Sequence, residues 1–295
     1  MLLIGLQATP EPASFHGGIV TVLGRSSAVV VVDATGSATP VLTFRNLSLR
    51  CDKSNPQITF QTPWNWELLQ AKRIAVITNS SFLRYQLTAA LAGLVPPVSG
   101  EIVSDGVIGW PVGAEGGLDS KLRISHALNF LSTVYSDCLE KSRVGLDEFW
   151  DLLSGKEIYP SLIIKELSKD QKDFFFLALS VLFSFDCYLI SNTRFLMSRH
   201  AKPLRSLLLK QLEGKTLLAT ASSNRFRSEF CTDGLVLGSL GQILFAGGIS
   251  ESIEWADQYL EASDVSESDD DQLVMGQNLL NLESTDDGFD DDGFG

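Results

Sequence analysis

The chain has 295 residues, 44% of them hydrophobic and 20% charged, which suits one soluble α/β domain with flanking segments. The formal net charge of -13 is uneven, because residues 263–295 hold eleven Asp and Glu and no Lys or Arg. The rest of the chain is close to neutral, and that balance excludes the basic surface a nucleic-acid-binding protein uses to neutralise phosphates.

Residues 1–40 are rich in Gly, Ala, Ser, Thr and Pro, and two strand-like runs within them, Ile19 to Leu23 and Ala28 to Val32, predict a small β-hairpin. No basic region precedes the first apolar residues, so a signal peptide is not expected. From Val41 to Leu49 apolar and polar residues alternate, as in a half-buried strand. Trp64 and Trp66, in Thr-Pro-Trp-Asn-Trp-Glu, are expected as surface-packing aromatics rather than a ligand box. Arg73 to Ile77 is a short β-branched strand leading through Thr78, Asn79, Ser80 and Ser81 into a helical pattern over Phe82–Leu94, which Pro96 and Pro97 stop.

The longest apolar run, Phe174 to Phe185, is too short for the roughly 20 residues of a membrane span, so it predicts a buried core helix. A strand at Cys187 to Ile190, a helix at Pro203–Leu212, a strand at Thr216–Thr220 and a hairpin from Leu235 to Phe245 complete the pattern. Strands alternating with helices predict an α/β fold with a mixed, largely parallel sheet. Four scattered cysteines and three dispersed histidines provide no metal-ligand spacing, so no metal is expected. The acidic segment from Ser263 carries an apolar island, Leu279 to Leu282, and a doubled Asp-Asp-Gly-Phe at 286–289 and 291–294. A docking peptide and a solvated tail both fit it.

The stretch Ile108-Gly-Trp-Pro-Val-Gly113 with the following Gly116-Gly117 resembles a segment of the ATP-binding subunits of ABC transporters that export capsular polysaccharide and related glycans. Leu91-Ala-Gly-Leu94 through Ser99-Gly-Glu-Ile102, and Leu167-Ser-Lys-Asp-Gln171, resemble further pieces of that family in the same order. The likeness runs over about residues 41–262 and implies a P-loop NTPase-like ABC nucleotide-binding domain with an antiparallel β subdomain and a helical subdomain. Residues 1–40 and 263–295 would flank it.

The residues at the family's functional positions depart from its pattern. A phosphate loop G-x-x-x-x-G-K-[ST] needs glycines to turn successive N–H groups inward, a Lys for charge and a hydroxyl for magnesium. Here Thr78 stands at the first glycine, Ser81, Phe82 and Leu83 fill the rest of the turn, Arg84 replaces the Lys and Tyr85 the hydroxyl residue, with Gln86 following. Ser191 and Asn192 take the place of the Asp-Glu pair that would hold magnesium and orient water. Ser222 takes the place of a switch histidine, and Cys51 that of an adenine-stacking aromatic. In the signature-like stretch Ser168 and Gln171 survive, whereas Lys169 and Asp170 replace glycines. Ser168 with Gln171 three residues on also reads as a helix capping box.

The resemblance therefore implies a pseudo-ATPase with no required cofactor, weak ATP binding being left open. It would be cytoplasmic, peripheral at the inner face of the membrane, and partnered by an active ABC ATPase subunit or the transporter's membrane subunit. The alternative is a half-competent subunit of a heterodimeric exporter, completing its partner's site through Ser168 to Gln171.

Overall fold

The computed structural model describes residues 39–260 and, before them, only the backbone of Ile19–Val20 and Val31–Val32. Those two short strands, β1 (Ile19–Val20) and β2 (Val31–Val32), pair antiparallel with Ile19 opposite Val32. The acidic segment, with its apolar island and doubled Asp-Asp-Gly-Phe, lies outside the described residues.

A three-stranded antiparallel sheet is built from β3 (Pro40–Ser48), β4 (Trp64–Leu69) and β6 (Ser99–Ser104), in the order β4-β3-β6. Along β4 the burial alternates strictly, which points Trp64, Trp66 and Leu68 to one face. That face is the core. Trp64 and Trp66 are only 3% and 6% exposed, and their rings lie 5.8 and 4.5 Å from Phe44. The expectation of surface-packing tryptophans is thereby corrected: a second sheet covers them, and Trp64 Nε1 donates to the Gly241 carbonyl at 2.8 Å.

The larger sheet takes β5 (Arg73–Ile77), β7 (Cys187–Ile190), β8 (Thr216–Ala219), β9 (Asp233–Leu237) and β10 (Ile243–Gly248) in the order β10-β9-β5-β8-β7. All pairs are parallel except β9 with β10. Strands covered on both faces need continuous apolar runs, and Ile74 to Ile77, Cys187 to Ile190 and Leu217 to Ala219 supply them. The mixed, largely parallel sheet is as expected.

Helix α1 (Ser81–Leu91) follows β5 and closes with Gly93 at φ +71°, where Leu94 N–H bonds Ala89 O and Gly93 N–H bonds Ala90 O. This left-handed cap ends the helix before the Leu94 that periodicity favoured. Helices α2 (Ile124–Val134), α3 (Ser136–Glu140) and α4 (Leu146–Ser154) form a helical part against α5 (Lys169–Leu182). Helix α5 stops at Leu182, three residues short of the apolar run, because Phe183 to Asp186 must reverse the chain into β7 while Phe183 and Phe185 stay buried. Helices α6 (Lys202–Gln211), α7 (Asn224–Phe230) and α8 (Ile249–Tyr259) complete the domain.

Asp186 ties two layers together at the start of β7. One carboxylate oxygen accepts from Val107 N–H at 3.0 Å and the other from Lys215 Nζ at 2.9 Å. Burial by itself would raise its pKa, but the two bonds and the Lys215 charge outweigh burial and hold it below the ordinary carboxylate value. A group with a lowered folded pKa contributes stability above its unfolded pKa and loses it as pH falls through the folded value. The melting temperature should therefore fall as pH drops below the usual carboxylate range, and Asp186→Asn should flatten that part of the profile in a calorimetric pH series.

All four cysteines are buried and free. Desolvation pushes Cys51 up to about 11 and both Cys187 and Cys231 up to about 12, and it raises Cys138 as well. Thiol titration at pH 8 is expected to find no fast-reacting cysteine in the native protein and all four after denaturation.

Candidate functional site

Parallel strands end on the same side of a sheet, and the crevice beyond their carboxyl ends is where open α/β folds place ligands. Strands β5, β8 and β7 run in one direction here. The turns Thr78–Ser80, Thr220–Ser223 and Ser191–Asn192 therefore gather at one edge of the sheet. The structure thus brings together three of the segments singled out in the sequence.

The turn after β5 is three residues long, because α1 begins at Ser81 rather than after Leu83. Ser80 caps the helix, its hydroxyl accepting from Leu83 N–H at 3.1 Å, and its carbonyl accepts from Arg84 N–H at 3.1 Å. Thr78 Oγ1 accepts from Ser80 N–H at 3.3 Å. Three N–H groups that a phosphate cradle would aim at an anion are thus bonded within the turn. No residue from Thr78 to Gln86 has a positive φ, so the alternation of right- and left-handed residues that forms an anion-binding nest is absent from this stretch.

Side chains close the turn further. Arg84 reaches back, and its Nη1 donates to the Thr78 carbonyl at 2.7 Å. Leu83 is fully buried in the core under the antiparallel sheet, so it cannot be part of an open loop. Gln86 is buried as well, whereas Ser81 and Tyr85 are half-buried. One turn further on, Thr88 Oγ1 lies 2.8 Å from Thr220 Oγ1 and accepts or donates there, joining α1 to the end of β8.

At the end of β7, Ser191 is half-buried and Asn192 exposed, and Asn192 Oδ1 accepts from Arg194 N–H at 3.0 Å. Neither side chain carries a carboxylate. Ser222 is exposed just ahead of α7, whose cap is Ser223. Ser168 to Gln171 sit elsewhere, at the start of α5. The Ser168 hydroxyl accepts from Gln171 N–H at 3.3 Å and Gln171 Oε1 accepts from Ser168 N–H at 3.0 Å, a complete capping box. Gln171 Nε2 also donates to Lys156 O at 3.0 Å, and Lys169 and Asp170 are exposed on the first turn. Cys51 is buried, its Sγ 3.9 Å from Leu49 O. Among the described residues no group of three or more His, Cys, Asp and Glu could hold a metal ion.

The segment Val107 to Gly113 lies along the free edge of β7. Gly109 N–H donates to Cys187 O at 2.9 Å and Val112 N–H to Leu189 O at 2.8 Å, so the segment acts as an irregular extra strand. Trp110 packs among Tyr135, Phe183 and Phe185, with ring centroids 5.1 to 5.8 Å away. The fully buried Ser180 hydroxyl on α5 accepts from Trp110 Nε1 at 3.1 Å and Gly113 N–H at 3.0 Å, and donates to Phe176 O at 2.9 Å. Trp110 is thus a packed structural aromatic.

No protein-family model matches the chain. It is 29% identical over 183 residues to the polysialic acid transport ATP-binding protein KpsT of Escherichia coli, covering 61% of this chain and 82% of that protein. It is 24% identical over 174 residues to the capsule polysaccharide export ATP-binding protein CtrD of Neisseria meningitidis serogroup B, covering 59% and 79%. Among solved structures, an ATP-binding subunit of an ABC transporter superposes with a TM-score of 0.56 at 15% identity, covering 78% of this chain and 97% of that one. The structure of cbiO1 from Clostridium perfringens, part of the ABC transporter complex cbiONQ, gives 0.50 at 13% identity over 75% and 96%. The chain is a homologue of capsule polysaccharide export ABC ATP-binding proteins.

Its fold is that of an ABC nucleotide-binding domain. Within this ABC domain three features escaped the sequence: the Arg84 latch on Thr78, the Thr88–Thr220 contact and the Ser180 hub under Trp110. No local signal announces them. Each joins residues that only the packing of α1, α5 and the sheet brings together.

Proposed function

We propose that this ABC-type homologue is a pseudo-ATPase, a catalytically impaired ATP-binding-subunit relative that serves as a protein-interaction or regulatory subunit in polysaccharide export or cell-envelope assembly. The domain at 41–262 carries this role, with 1–40 and 263–295 flanking it. The observation that carries the reading is the turn Thr78 to Arg84, closed by its own hydrogen bonds and by the Arg84 guanidinium. Such a turn offers an anion no N–H cradle. Ser191 and Asn192 add no carboxylate for magnesium or water. The partners of such a subunit are an active ABC ATPase subunit or the exporter's membrane subunit, at the cytoplasmic face of the membrane. No helix among the described residues is long and apolar enough to cross a membrane, which accords with a peripheral place.

Calorimetric titration with Mg-ATP, with phosphate release assayed on the same sample, tests the reading. The expected result is no heat of binding up to millimolar nucleotide and no turnover above background. Micromolar binding with turnover would sink it. A half-competent subunit that completes a partner's site through Ser168 is a weaker reading, because Ser168 and Gln171 are engaged with each other and Lys169 and Asp170 crowd the helix start. In the assembled complex Ser168→Ala would leave turnover unchanged under the leading reading and depress it under the weaker one.

A further inference from the structure

The body of the domain is close to neutral, but one face is not. Residues 187–229 hold eight Lys and Arg against two acids, Glu213 and Glu229. Some of these charges are engaged within the fold. Lys215 pairs with Asp186 at 2.9 Å, Arg205 with Glu229 at 3.5 Å, and the buried Arg227 donates to Ala221 O and Asn224 Oδ1. Arg199, Lys202, Lys210 and Arg225 are exposed, and none of them is paired with a carboxylate among the described residues.

Arg199, Lys202 and Lys210 lie just before or on α6, and Arg225 lies on the adjoining α7. Lys202 lies three residues before Arg205 on α6, and Arg225 lies four residues before Glu229 on α7, so each is one helical turn from the Arg205–Glu229 pair. Helix α7 in turn packs beside α8, from whose end the chain runs on into the acidic segment. Two neighbouring helix spacings of about 8–10 Å each separate that exit from α6. The residues between Leu260 and Asp286 can span roughly 85 Å at full extension, so the tether is several times longer than the route.

We propose that the acidic segment Asp264 to Asp292 docks on this basic face of its own chain, covering Arg199, Lys202, Lys210 and Arg225. Charge complementarity is the ground: the segment holds eleven acids and no base, and the face carries four exposed cations whose nearby acids, Glu213 and Glu229, are already paired with Arg143 and Arg205. A tethered segment is present at an effective concentration of about millimolar, which favours it over separate anionic partners at ordinary concentrations. The docked segment keeps other anionic surfaces off the face, and a competing polyanion displaces it. The inference stands independently of the nucleotide reading.

Zero-length carbodiimide coupling of the full-length protein, followed by peptide mass spectrometry, tests it. Cross-links from Lys202 and Lys210 to the acidic segment within one chain are expected to dominate over those from exposed Lys53, Lys121 and Lys165. Because surface charges are screened within about 4–5 Å near half-molar salt, these links should fall about fivefold in 0.5 M NaCl with the unaltered protein. The double variant Arg199→Glu/Arg225→Glu should lower them similarly at low salt. Links spread evenly over all exposed lysines, no links, or links found only between isotopically distinct chains would overturn the proposal. The last outcome would place the segment on a second copy.

Discussion

Alanine at Gly109 is expected to destabilise the domain by about 3 kcal/mol, near the upper end of what overpacking a core costs. A Cβ there would stand 2.5 Å from Cδ2 of Phe185 and 2.8 Å from Cγ, far inside contact distance. The ring cannot move aside, because Phe185 is 1% exposed and packed against Trp110, Tyr135 and Tyr188. The backbone cannot retreat either without breaking Gly109 N–H to Cys187 O, one of the bonds that closes the β7 edge. The cost is thus steric. Gly113 supplies the contrast, since it has φ +81° but no atom within 4 Å of an added Cβ. Gly113→Ala should cost only about 1 kcal/mol of backbone strain. Urea midpoints for the two variants measure the difference, and equal shifts would show that the Phe185 contact does not govern Gly109.

Truncating Trp110 to alanine should cost about 3 kcal/mol, the lower end of aromatic-to-alanine losses, because the side chain is only partly buried. Two effects add there. The ring leaves a gap among Tyr135, Phe183 and Phe185, and the Ser180 hydroxyl loses one of its two donors. Trp110→Phe separates them, keeping most of the ring while removing Nε1, and should cost about 1 kcal/mol for the lost hydrogen bond. A phenylalanine variant as unstable as the alanine one would mean that the Ser180 bond dominates. Near-ultraviolet circular dichroism on the same samples reports whether the aromatic cluster loosens as a unit.

Both predictions concern the stretch that resembles the polysaccharide exporters, and both give it a structural purpose. An exposed edge strand invites pairing with other chains, and covering it is a general remedy. Val107 to Val112 covers β7 with backbone hydrogen bonds, and Ser180 pins the same stretch to α5. One buried hydroxyl thus ties the β7-edge segment to α5, within a core that sheet and helices share.

Much of the scaffold was legible in the residues. Arg73 to Ile77 and Cys187 to Ile190 read as short strands, and the structure buries Ile74 to Ile77 and Cys187 to Ile190 because parallel strands covered on both faces leave no polar position. The capping box at Ser168 and Gln171 was legible because capping is a local bargain between a side chain and the nearest N–H groups. The residue types at Thr78, Arg84, Ser191, Asn192 and Ser222, the positions the family resemblance singles out, could be read directly, since chemistry that depends on glycine, lysine or carboxylate is visible as residue type. The end of α5 at Leu182 was not legible, because a buried helix and the buried turn after it are equally apolar.

What the sequence determined by itself is local: the strand and helix periods, the caps, the residue types at the loop positions and the separation of charge between body and acidic segment. Tertiary structure decided which of these meet. It buried Trp64 and Trp66 by laying the antiparallel sheet against the β9–β10 turn, drew Arg84 back onto Thr78, and placed Ser180 beneath Trp110 and Gly113. The physical reason is range: caps and periods act over a few residues, whereas burial and side-chain partnership depend on surfaces that packing alone brings into contact.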